Sequence, residues 1–305
     1  MKIKKTSAIT LNSLFIVMIL MSFNLKSAEY SEVVASCNSA LNKGDFKEAA
    51  TISEELIRLQ PENNAAYLCK GRALGAQGDY SQALIALDIA TNKATDAFDK
   101  IISHTVTGNL HKQFDQLTAA ISSYEKSLAL CKTTQNDKFA RINYILIGEA
   151  HTLNKDLNSA LKNYLLAEKL ANNDHERADG YEHIAATYSA LGKHDQAIEF
   201  QLKAVQNHKK SGTLDQLAQA NLQQGRIFVI AKEYANAEKT YNKLAQFSKD
   251  NGSAYFEAKA LLGLALNKIE MGDASAAKPL IDKAKAIAKE SKDLALEKEI
   301  DLAIK

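Results

Sequence analysis

A helix–turn–helix template that recurs down the chain constrains this sequence more than any other feature. It is clearest between Tyr67 and Ala90, where Tyr67, Gly71 and Leu74 precede Gly78-Asp79-Tyr80, and Ala83, Leu87 and Ala90 follow. Spacings of three and four place the first set on one face of a helix. Gly71 has no side chain, so a second helix can approach its backbone. Ala83 and Ala90, seven apart, are the small residues expected to face back towards it. Gly78 supplies the left-handed backbone that ends the first helix. Pro61, just upstream, closes the preceding unit where a helix must stop.

The same template can be laid over nearly all of the chain after residue 29. Repeats start near residues 30, 64, 101, 141, 178, 218 and 258, at intervals of 34 to 40 residues. The slot of Gly71 is filled by Cys37, Gly108, Gly148, Ala185, Gly225 and Ala265 in the other copies. Polar stretches such as Thr133–Asp137, Asn172–Asp174 and Lys249–Ser253 read as the loops between copies. Pro279 is expected in the first turn of the last second helix, where a missing N–H costs little. Beyond residue 290, Leu296, Ile300 and Ile304 share one face and charged residues take the rest. That is the half-polar helix an open array end requires.

The pattern resembles the tetratricopeptide repeat, whose signature runs W-x2-L-G-x2-Y, A-x3-F and P. Tryptophan is absent here, and tyrosine or a smaller residue takes its place. The longer intervals are similar to those of kinesin light chains and of bacterial repeat-containing regulators. The resemblance implies an all-α, right-handed superhelical solenoid of about seven helix–turn–helix repeats over residues 29–290, with a capping helix over 291–305. It also implies that first helices line a concave groove holding a peptide or protein partner. The residue after each glycine slot would point into that groove. Those residues are Asn38, Arg72, Asn109, Glu149, Ala186, Arg226 and Leu266. The carboxylate-clamp form of the family wants bases where Val34 and Thr105 stand, which argues against capture of a C-terminal carboxylate.

The N-terminus reads differently. Lys2, Lys4 and Lys5 precede an unbroken apolar run from Leu14 to Met21. The run is short for a bilayer span, which needs about 20 apolar residues, and it reads as a signal peptide over residues 1–28. An uncleaved membrane anchor is the alternative. Export to a periplasmic or extracellular space follows from the first reading. Removing Lys2, Lys4, Lys5 and Lys26 leaves 34 bases against 36 acids, a net charge of about −2, and no basic stripe that would attract nucleic acid. Of the three cysteines, Cys37, Cys69 and Cys131, an exported chain could pair two. Helix geometry is expected to hold Cys37 and Cys69 too far apart.

Reactive motifs are scarce. The sequence has no Gly-rich phosphate loop, no G-x-S-x-G and no H-E-x-x-H, and no cofactor or metal is expected. His104 and His111 flank Gly108 on one face, but they occupy slots where sibling repeats place tyrosines. His151 falls in a similar slot. His183 and His194 have no carboxylate that the sequence places beside them. Tyr124, Tyr164 and Tyr241 recur at one place in second helices and read as core. Lys209-Lys210 reads as a charge pair in a loop. Two function classes remain: an exported protein-interaction scaffold, and an envelope- or carbohydrate-processing enzyme that would need a facing pair of acids. Glu149 and Glu182 are the nominees for that pair.

Overall fold

The computed structural model describes residues 30–304, which are helical apart from short connections, with no strand among them. The expected signal peptide, residues 1–28, lies outside the described residues. No described helix is long and apolar enough to cross a membrane.

The helices follow one another as hairpins. The first, α1, is described over residues 30–43 and is followed by α2 (Phe46–Leu59). Next come α3 (Asn64–Ala76) with α4 (Tyr80–Lys93), α5 (Ala97–Gln113) with α6 (Leu117–Thr133), and α7 (Asp137–Leu153) with α8 (Leu157–Glu168). The remaining pairs are α9 (Asp174–Ala190) with α10 (His194–Ser211), α11 (Leu214–Ile230) with α12 (Tyr234–Asp250), and α13 (Ala254–Glu270) with α14 (Ala274–Glu290). A final helix, α15 (Leu294–Ala303), buries Leu296 and Ile300. The described chain divides into two compact units that meet in sequence at Phe139 and Ala140, within α7.

Each hairpin turn needs one residue in the left-handed region. Gly44, Gly78, Gly192 and Gly272 fill that place after four first helices. Asp115, Lys155 and Lys232 fill it after three others, at φ of about 60°. Four of the seven turns therefore use the residue that adopts this backbone without strain, and three use residues that do so at some cost. Caps complete the turns. Asp45, Asp79, Asp156 and Asp273 each accept a backbone N–H of the second helix they precede.

The hairpins are tight because a bare backbone on the first helix meets a large side chain sixteen residues later. A Cβ at Gly71 would fall 2.5 Å from Leu87 Cδ2, one at Gly108 2.5 Å from Tyr124 Cδ1, and one at Gly148 2.5 Å from Tyr164 Cε1. Gly225 stands in the same relation to Tyr241. The three tyrosines are almost wholly buried, so they are core side chains. The partner of Gly71 is thus Leu87. Ala83 approaches Gly71 only through its carbonyl oxygen, and its methyl lies nearer Gly75.

Three local expectations are corrected. Pro279 lies inside α14, past its first turn, because Asp273 caps the helix at Ala276 and starts it at Ala274. Its ring leaves the carbonyl of Ser275 without the usual helical donor. Lys209 and Lys210 belong to the last turn of α10, where cations favour the negative helix end, and not to a loop. The loops at 133–137 and 249–253 shrink to three residues each, closed by Gln135 and Gly252 in the left-handed region.

Candidate functional site

In the first unit, α1, α3 and α5 bring three of the predicted residues together. Arg72 Nη1 donates to Asn38 Oδ1 at 2.8 Å, from a position 34 residues later in the chain. Arg72 and Asn109 both line a cavity of about 230 Å³ with Leu41, Val106 and Leu110. Arg72 and Asn109 are solvent-exposed. Their roles differ. Arg72 donates through Nη1 to Asn38 across the first helices. Asn109 Oδ1 accepts the buried Tyr124 hydroxyl at 2.8 Å, so it also serves the core. Thr105 does not face this cavity. It is buried and donates to the Ile101 carbonyl. His111 Nδ1 lies 2.9 Å from the Tyr80 hydroxyl, a packing contact between successive repeats. Burial lowers the pKa of both His104 and His111; Lys126 and Lys100 add to the effect at His104, and Asp88 opposes it at His111.

The structure pairs Cys37 with Cys69, which corrects the expectation that they stand too far apart. Their Cα atoms are 6.4 Å apart, inside the range that a disulfide spans. The sulfurs cross from α1 to α3, where small side chains let equivalent helices approach. Cys131 is buried and lies outside the disulfide.

In the second unit, α9 and α11 enclose a pocket of about 620 Å³ with α10 behind it. The wall from α9 carries Asp179, Glu182, His183 and Ala186, and that from α11 carries Gln219, Gln223, Arg226 and Ile230. Arg226 is exposed on the α11 wall of this pocket. Asp179 is already neutralised: Arg141 Nη2 donates to its Oδ2 at 2.6 Å, and Arg141 is 8% exposed. His183 does have a carboxylate beside it, contrary to expectation. Asp179 Oδ1 lies 3.7 Å from its Nε2, one helical turn away, and its ring stacks on Tyr164 at 4.7 Å. Burial pushes the Glu182 carboxyl up to about 7, and the neighbouring Asp179 charge adds to the shift. Glu149 is not among the residues lining this pocket, so the pair nominated for acid–base chemistry is not assembled there. Leu266 is half-buried against the core and offers no polar group.

The sequence reading missed Gln201. Sixteen residues after Ala185 it takes the place that Leu87, Tyr124, Tyr164 and Tyr241 fill elsewhere. It is 2% exposed and donates through Nε2 to the Ala220 carbonyl at 2.9 Å. It also lines the pocket. An amide where four siblings place a large apolar or aromatic side chain was the available signal. It gives this hairpin a polar floor.

A tetratricopeptide-repeat model matches residues 178–207, the hairpin that supplies Glu182 and Gln201. Protein kinesin light chain-related 2 of Arabidopsis thaliana is 24% identical over 276 residues, 83% of this chain. The chain spans 41% of the length of that curated relative. Among solved structures, the apo form of RapI aligns with a TM-score of 0.68 at 14% identity, over 89% of this chain and 79% of that one. The C-terminal part of a TPR repeat-containing protein from Cytophaga hutchinsonii aligns with a TM-score of 0.61 at 13% identity, over 89% of this chain and 99% of that one. At such identities these structures establish a shared fold. The chain is therefore an all-α solenoid of helical hairpins in which residues 178–207 match the tetratricopeptide-repeat model.

Proposed function

We propose that this chain is an exported interaction scaffold that holds a peptide or protein segment along its first helices and performs no chemistry on it. One observation carries the reading. At repeat-equivalent positions, Arg72 and Arg226 stand exposed on the walls of open cavities, and neither packs a hairpin together. In each unit the packed hairpins hold such a side chain in place, and forked guanidinium donors suit peptide carbonyls and carboxylates.

Export rests on the basic and apolar N-terminus, and the Cys37–Cys69 pairing supports it, because disulfides persist in oxidising compartments. Capture of partners from the envelope fraction of the native host, followed by mass spectrometry, tests both halves of the reading. The full chain should retain a defined protein set, and Arg72→Ala with Arg226→Ala should lose most of it while melting as the parent does. Retention of the same set by the double variant would refute the groove. Recovery of the chain from the cytoplasm with Met1 to Lys26 still attached would refute export.

A further inference from the structure

The pocket between α9 and α11 contains a carboxylate that the protein itself does not neutralise. Of its two acids, Asp179 is held by Arg141 at 2.6 Å. Glu182 has no lysine or arginine partner among the described residues. Its ionisable neighbour on α10 is His208, whose Nε2 lies 3.3 Å from Glu182 Oε1. His208 is 4% exposed, and both its ring nitrogens are buried without a hydrogen-bond partner. Burial lowers the His208 pKa and the nearby His175 lowers it further, with Asp179 opposing, so His208 is a poor counter-charge. A half-buried carboxylate beside a buried imidazole with unpartnered nitrogens is costly to leave as it is. Gln201 keeps the floor polar where a tyrosine would have filled the space.

We infer that this pocket is a subsite for a cationic side chain, lysine or arginine, presented by the bound peptide, with Glu182 as its counter-ion. The inference rests on the peptide-scaffold reading and names the chemistry of one position in the partner. The aliphatic stem of such a side chain matches the apolar lining from Ala186, Ile227 and Ile230. The charge matches Glu182, which pairs with no lysine or arginine among the described residues, while Arg226 on the α11 wall is left to the carbonyls of the same peptide.

Binding is coupled to a proton. The ionisable groups around Glu182 are Asp179, His183 and His175 on α9, Arg141 on α7, His208 on α10 and Arg226 on α11. With the Glu182 carboxyl near 7 in the empty pocket, about nine-tenths of it is ionised at pH 8 and about one-tenth at pH 6. A cation holds it ionised, so affinity rises with pH across this window by about tenfold.

The test uses nonapeptide pools randomised at eight positions, with the fifth fixed as lysine, arginine, norleucine or glutamate. Each pool is passed over the immobilised mature chain at pH 6 and pH 8. The lysine and arginine pools should be retained about tenfold better than the norleucine pool at pH 8, and that preference should collapse at pH 6. Glu182→Gln keeps the side-chain shape and should erase both the preference and its pH dependence, with helicity and melting measured to show an intact fold. Equal retention of all pools overturns the cationic subsite and leaves the groove reading standing. A preference that survives Glu182→Gln also overturns the subsite. Failure to retain any pool overturns both.

Discussion

Replacing Gly225 by alanine tests the packing rule on which the solenoid depends. A Cβ there would fall 2.5 Å from Tyr241 Cζ, far inside ordinary contact. Tyr241 has little room to yield, because a Cβ at Gly263 on the next first helix would also fall 2.5 Å from its ring. The ring is clamped between two bare stretches of backbone and is 2% exposed. Two terms compete. Alanine favours the helix over glycine by about 0.5–1 kcal/mol. Overpacking a closed site costs about 1–3 kcal/mol. The clash wins, with a net loss of about 1–2 kcal/mol, or roughly 2–8 °C in melting temperature for a chain of this size. Gly180→Ala is the control. Its Cβ would meet only Glu168 atoms at 3.6–3.8 Å, so the helix-propensity gain stands alone and the variant should be more stable by about 0.5–1 kcal/mol. Melting by circular dichroism reads both. In a Tyr241→Ala background, Gly225→Ala should turn neutral or stabilising. Parental or higher stability of Gly225→Ala in the native background would refute the clamp.

Three further outcomes follow from named contacts. Asn109→Ala should cost about 0.5–1.5 kcal/mol in chemical denaturation, because it removes the hydrogen bond from the Tyr124 hydroxyl, whereas Arg72→Ala on the same wall should cost under about 0.5 kcal/mol. Under non-reducing denaturation one thiol per mature chain, that of Cys131, should react with a thiol reagent, and Cys37→Ser should lower stability by about 2–4 kcal/mol relative to the oxidised parent. Glu182 has a folded-state pKa raised above its unfolded value, so the folded chain binds more protons and its contribution to stability falls as pH rises from about 4.5 to 7. Glu182→Gln should remove that slope and melt no lower than the parent at pH 8.

Much of the architecture was legible because the template is redundant. Seven copies of the helix–turn–helix template place the helices even where one copy is irregular, and the third hairpin turns on Asp115 without a glycine. What escaped was information carried between copies. The pairing of Cys37 with Cys69 depends on how closely α1 approaches α3, a distance that no periodicity within a repeat supplies. Pro279 was misplaced by one turn because the helix start depends on the Asp273 cap. The candidate site was half legible. Arg72 and Arg226 follow from the slot rule. Gln201 broke the pattern in plain view, but a template read for its matches hides its exceptions. Asp179 beside His183 was readable from their spacing of four, and Arg141 reaching Asp179 from 38 residues away was not.

The central claim is that first-helix side chains hold a protein partner, and photo-cross-linking from single positions tests it most directly. A photoreactive phenylalanine is placed at Arg72, at Arg226 or at Lys162, an exposed residue of the second helix α8, and irradiated in the native host. Positions 72 and 226 should each yield a discrete higher-mass adduct containing a second protein, and position 162 should yield none. Adducts from 162 with none from 72 or 226 would contradict the account and move the binding surface to the second helices.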